Sequence, residues 1–169
     1  MSMAKNKVAW CLNKAKKELE KDTKHRGLVR INADDKLAHE FIKKAEHNLQ
    51  VFIDNKKLKH YDWTISMGFY VMYHCCLAII TKFGYESRNQ ECTLALIESL
   101  IEEKKIGEEF RKYINAIASG ARDEDGQIMA MREKYQYTPV VEIDIEKVEE
   151  LLGLCQDMIK DAKGIIVGD

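Results

Sequence analysis

Apolar residues recur at spacings of three and four along almost the whole chain, the repeat that lines one face of an α-helix. Val8, Cys11, Leu12 and Ala15 make such a face in a first helix expected over Ala4 to Asp22, which frays at Lys24 to Gly27. Ala38, Phe41, Ile42, Ala45, Leu49, Phe52 and Ile53 mark a second helix, with Asn32 as its expected cap and the polar run Asp54 to Lys59 as the turn after it. Asp62 is the expected cap of a central helix that ends at Gly84, a residue type that tolerates positive φ. Ser87 followed three residues later by Gln90 has the form of a capping box, opening a helix with Leu94, Ile97, Leu100 and Ile101.

Phe110, Tyr113, Ile114 and Ile117 predict a further helix that breaks at Ser119-Gly120. Another is expected over about Asp123 to Tyr135, stopped at Thr138-Pro139 because proline lacks an amide proton and restrains its predecessor. Val140 to Ile143 reads as an extended connector. Asp144 then caps a last helix with Val148, Leu151, Leu152, Cys155, Met158, Ile159 and Ala162 inward. The expected fold class is therefore all-α: an up-and-down bundle of four to five core helices, with an extra N-terminal helix. Residues 1–30 carry that basic helix as part of the same domain, and residues 31–169 form the bundle.

Trp63 to Ile80 is eighteen residues without a formal charge, near the lower limit for a bilayer span. Thr64, Ser66, Gly68, Tyr70, Tyr73 and His74 interrupt it, and polar groups at mid-span are costly in lipid. The pattern is taken as a helix buried on nearly all sides.

Charge changes the picture at one end. The chain carries a net −1, which does not indicate a globally basic nucleic-acid binder. Yet residues 1–30 hold nine Lys/Arg against three acids, a +6 segment that leaves the remainder at −7. Such an arm attracts phosphates or an acidic neighbour, or is a solvated helix face whose charges balance the body. Five cysteines (Cys11, Cys75, Cys76, Cys92, Cys155) form an odd set with no CxxC pair and no secretory leader. That pattern predicts free thiols, a reducing compartment and a cytoplasmic location, without a disulfide framework or a zinc site.

Three groups of residues have the chemistry to act. Tyr70, Tyr73, His74 and Leu77 fall on one stripe of the central helix, where two phenols and an imidazole line a site for a base or ribose, or else fill the bundle with satisfied polar tips. Arg132 precedes Tyr135 by three residues, so a guanidinium and a phenol share a face suited to phosphate, or form an ordinary exposed helix end. At Ser87-Arg88-Asn89, backbone amides with Arg88 and Asn89 hold an anion or simply cap. No phosphate-binding glycine loop, no metal-ligand spacing and no Ser/His/Asp or Cys/His set is present, and Asp123, Glu124 and Asp125 read as a solvated turn. Neither metal nor cofactor is expected.

The segment GFYVMYHCCLAIITKFGYESRNQECTLALIESL, followed by MAMREKYQYTPVVEIDIEKVEELLGLCQDMIKDAKGI, resembles the HEPN family over roughly Leu37 to Ile166. The shared features are a Y-x-x-Y-H core with a glycine and turn after it, an arginine-bearing helix, a Y-x-x-x-V-x-I connector and a closing helix. The resemblance implies a homodimeric bundle that works on nucleotides or RNA, often beside a nucleotidyltransferase partner in a toxin–antitoxin pair. Active relatives are metal-independent RNases that use an arginine followed, after four to six residues, by a histidine. Arg132 matches that arginine. Tyr137 stands where the histidine would be, and Gln90 replaces a turn histidine. With an ordinary pKa of about 10, tyrosine is a poor base at neutral pH.

The resemblance thus implies a nucleotide- or RNA-binding module using Tyr70, Tyr73, His74, Arg88, Asn89, Arg132 and Tyr135. The first alternative is a divergent endoribonuclease with Arg132, and with Tyr137 or His74 in the acid/base role. The second is a non-catalytic adaptor. Tyr137 is also where a partner nucleotidyltransferase would attach an adenylyl group.

Overall fold

The computed structural model describes residues 1–118 and 128–168, apart from the side chain of Met129. Its elements run α1 (Met3–Leu19), β1 (Leu28–Arg30), α2 (Asp35–Lys57), α3 (Tyr61–Lys82), β2 (Tyr85–Ser87), α4 (Gln90–Glu102), α5 (Phe110–Ile117), α6 (Ile128–Tyr137) and α7 (Ile145–Val167). The all-α expectation holds, with one small addition. β1 and β2 pair antiparallel, Leu28 opposite Ser87 and Arg30 opposite Tyr85. Three-residue strands are too short to show a period in sequence.

Short polar side chains close the helix starts by accepting free backbone amides. Ser2 accepts from Lys5, Asp34 from Leu37, Asn89 from Cys92 and Asp144 from Glu146. Asp34 therefore replaces Asn32 as the cap of α2, and Asn89 replaces the Ser87–Gln90 box. Ser87 lies in β2, and the Gln90 amide instead donates to the Ile117 carbonyl. Asp62 does not cap α3. It sits in the first turn, where a carboxylate complements the helix dipole, and His60 occupies the cap position without a side-chain bond.

Other boundaries move as well. The polar run from Asp54 continues α2 to Lys57, supported by Gln50 donating to Asp54 and Asn55 to the Val51 carbonyl. The reversal falls at Leu58 and Lys59, the latter at φ 62°. α1 stops at Leu19 and α3 at Lys82, two residues before Gly84, which takes φ +80°. The expected break at Ser119-Gly120 and the Asp123–Asp125 turn lie outside the described residues.

α3 is the axis of the bundle, packed by α2, α7, α6 and α4. Ile65, Phe69, Val71, Met72, Ile79 and Ile80 are buried along it, against Ala45 and Phe52 of α2 and Leu151, Cys155 and Met158 of α7. Gly68 permits this approach, because a Cβ there would lie 2.7 Å from Leu151 Cδ2. Tyr61–Lys82 is long and apolar enough to cross a membrane, yet 72% of its apolar window is buried inside the protein, as a core helix requires.

α1 lies across α4 and β1. Here the cysteine expectation fails: Cys11 and Cys92 form a disulfide, with Cα atoms 5.9 Å apart and a sequence separation of 81. Spacing rules detect local pairs, whereas this pair is assembled by helix packing. Cys75, Cys76 and Cys155 remain free and buried, and burial pushes the Cys76 thiol up to about 12.

Candidate functional site

The side of α3 that faces α6 carries a run of rings. Phe69 stacks on Tyr73 at 5.9 Å with an interplanar angle of 14°, and meets Tyr70 edge-on at 5.4 Å. His74 lies 6.4 Å from Tyr70, 6.5 Å from Tyr73 and 6.3 Å from Phe41 of α2. Onto this ledge α6 lowers Arg132. Its guanidinium sits 4.5 Å from the Phe69 ring centre and 5.6 Å from that of Tyr70, within the range of cation–π attraction.

Among the described residues Arg132 has one further hydrogen bond, its Nε donating to Gln136 Oε1 at 3.1 Å one helical turn on. Among the described residues no carboxylate pairs with it. This half-buried guanidinium is held, among the described residues, by aromatic faces and a neutral amide, which leaves most of its five donors unengaged.

His74 is set up one turn along from Tyr70. Its Nδ1 is 2.7 Å from the Tyr70 carbonyl oxygen, which only accepts, so Nδ1 carries the proton and Nε2 is the acceptor. The amide nitrogen of Asn48, a buried polar residue of α2, lies 3.2 Å from the same Nδ1, which in this tautomer does not accept from it. Burial lowers the imidazole pKa; the Tyr70 hydrogen bond opposes this and the charge of Lys44 adds to it. The neutral ring is favoured.

Residues 38–165 match the HEPN domain family model. The chain belongs to the HEPN family. No curated protein matches it. The HEPN segment begins in α2 and ends in α7, so it contains the whole ledge of Asn48, Phe69, Tyr70, His74 and Arg132, while α1 and β1 precede it. In general terms, membership marks a nucleotide- or RNA-related module.

The remaining predicted residues separate into two groups. Tyr135 is half-buried against the core, with Lys134 5.6 Å from its ring. Tyr73, stacked on Phe69, turns its hydroxyl toward α4, where it lies 3.3 Å from Thr93 Oγ1. Burial raises the pKa of that phenol, with the Thr93 bond working against the shift. Tyr137 is 75% exposed at the end of α6. Five residues from Arg132 is roughly 140° around a helix, so Tyr137 points away from the guanidinium.

Arg88 and Asn89 lie elsewhere. Asn89 is spent as the α4 cap. Arg88 Nε donates to Glu86 Oε1 at 2.8 Å, and the same oxygen is 3.1 Å from Nε2 of the buried His25. Burial acts to raise the Glu86 pKa, but the bonds from His25 and Arg88 prevail and hold it below the usual range. Sequence reading missed Phe69, Gln136 and Asn48 as parts of the ledge. Asn48 carried a signal: it is a polar residue three positions after Ala45 on an otherwise apolar stripe.

Proposed function

We propose that this HEPN protein binds a nucleotide or RNA phosphate at Arg132, with the base or ribose resting against Tyr70 and His74. The observation that carries the reading is the guanidinium clamped over Phe69 and Tyr70 with no carboxylate partner among the described residues. The aromatic faces hold it without neutralising it, which pre-organises the donors and lowers the ordering cost of binding. Tyr135 flanks the same helix face. Family membership supports extending this to a homodimer that works with a nucleotidyltransferase in a toxin–antitoxin type of pair.

A second reading, metal-independent RNA cleavage, is favoured by the state of His74. A neutral imidazole with Nε2 free to accept can take the proton of a ribose 2′-hydroxyl. That oxygen then attacks the adjacent phosphorus, Arg132 stabilises the charge on the phosphoryl oxygens, and the 5′-oxygen leaves with a proton from water. His74 serves this role better than the outward-facing Tyr137.

Two assays on the same protein separate these readings. Thermal melting with ATP, GTP or a short RNA should raise Tm in wild type and not in Arg132→Ala, since a ligand of the native state stabilises it. Cleavage of RNA without added metal, abolished in both Arg132→Ala and His74→Gln, would establish the enzyme. A melting temperature unmoved by any of these ligands would contradict the binding reading and leave an adaptor.

A further inference from the structure

α1 lies outside the HEPN segment, and its two faces are unlike. The inner face, Ala4, Cys11 and Ala15, is buried. The helix is fastened to α4 by the Cys11–Cys92 disulfide and, from its flank, by Lys7 bound to Glu91 at 2.9 Å, while Lys5 pairs with Glu103 just past α4 at 3.6 Å. The outer face carries Lys7, Trp10, Lys14 and Lys17 at successive spacings of three and four, with Lys21 in the turn beyond. At 100° per residue these five fall within roughly 80° of arc.

Trp10 is 50% exposed, a large indole left in solvent at the centre of the stripe. Lys7 Nζ lies 4.6 Å and Lys14 Nζ 5.2 Å from its ring centre. Trp10, Asn13, Lys14, Lys17, Glu18 and Lys21 line a groove of about 280 Å³. The one acid there, Glu18, is engaged by the backbone amide of Arg26. Among the described residues Lys14, Lys17 and Lys21 have no carboxylate partner.

We infer that this face of α1 is a stacking platform for single-stranded nucleic acid, in which an unpaired base covers the Trp10 indole and Lys14, Lys17 and Lys21 hold successive phosphates. The chemistry is complementary on both counts. Every base presents a π-face to an exposed aromatic, and a row of unpaired ammonium groups follows a phosphodiester backbone. A duplex hides its base faces and meets only the charge. An anionic membrane fits less well, because the apolar face an interfacial helix would insert is already buried and tied down. Of the exposed apolar residues of α1, Met3 shares the Trp10 side but stands two turns away with Lys7 between, and Leu19 lies on the opposite side, leaving no continuous apolar stripe. The platform is separate from the Arg132 ledge and does not depend on it.

The test uses a Trp63→Phe protein, which makes Trp10 the only tryptophan, titrated with a twelve-residue oligouridylate at low salt. Saturable quenching of Trp10 emission is expected. In Lys14→Gln/Lys17→Gln the magnitude of the log-affinity against log-salt slope should fall by roughly 1.4, from ~0.7 per phosphate contact on a single strand. Trp10→Leu, which keeps an apolar side chain but no π-face, should bind a labelled oligonucleotide about tenfold more weakly, and Trp10→Phe should retain most of the affinity. The proposal is overturned by absence of quenching up to about 100 µM RNA, the weak end of non-specific binding. Equal binding by Trp10→Leu, or a Trp10 response to phosphatidylserine vesicles but not to RNA, would overturn it as well.

Discussion

Arg88 and Arg132 both stand out in the sequence as arginines placed for an anion, and the fold treats them in opposite ways. Arg88 is paired at the surface with Glu86, which also binds the buried His25, so its charge is already met by a carboxylate. Arg132 is held instead by Phe69, Tyr70 and Gln136, none of which carries charge. Position near a helix end does not make an arginine a binding residue. What distinguishes the two is how the side chain is held: a carboxylate orients and neutralises, whereas an aromatic face orients and leaves the charge available.

The comparison can be broken most severely at Arg132 itself. Arg132→Gln should weaken phosphate-ligand binding about tenfold or more, since a hydrogen bond to a charged group contributes roughly 1.5–3 kcal/mol. Arg88→Gln should change it less than about twofold, both read by isothermal titration. The next largest effect is a gain. Glu86→Gln removes the neutralising charge, so a second, weaker phosphate should bind near Arg88, and Glu86→Gln/Arg88→Gln should abolish it. Phe69→Leu keeps apolar bulk under Arg132 but strips the π-face; a loss of about two- to fivefold in affinity is expected from a cation–π contribution of ~0.5–1 kcal/mol.

The smallest effect concerns pH. The His74 pKa is lowered in the fold, so the unfolded chain takes up the proton first as pH falls below its ordinary value of about 6.5. Its stability contribution is complete above that pH and is lost as pH drops through the folded value. His74→Asn should flatten this limb of a Tm-against-pH curve. A curve identical to wild type would mean that His74 is not held neutral by its surroundings.

The helices were legible because each buries one stripe, and period 3.6 survives in the sequence of α1, α2, α4, α5 and α7. Caps were harder, since Asn32, Asp34, Asp62, Ser87 and Asn89 are all short polar residues and only backbone geometry chooses among them. The Cys11–Cys92 pair was hidden for a different reason: nothing local announces a contact 81 residues long that exists only once α1 lies on α4. At the site, Tyr70, His74 and Arg132 were named from residue type and helical spacing, and the fold sets Arg132 over Tyr70, with His74 one turn along from Tyr70 beside α2. Tyr73 and Arg88 were not separable from them in sequence. Whether a phenol meets Thr93 or a guanidinium meets Glu86 is decided by which side of α3 or β2 the neighbouring element occupies.

The central claim is that Arg132, and not Arg88, keeps its charge for a ligand. The most direct test is a ¹⁵N–¹H spectrum of the arginine Nε–Hε groups during titration with a short RNA, with assignments from Arg132→Lys and Arg88→Lys. The account predicts that the Arg132 signal shifts and saturates while the Arg88 signal stays in place beside Glu86. Movement of the Arg88 signal with Arg132 stationary, or RNA binding that moves neither, would contradict it.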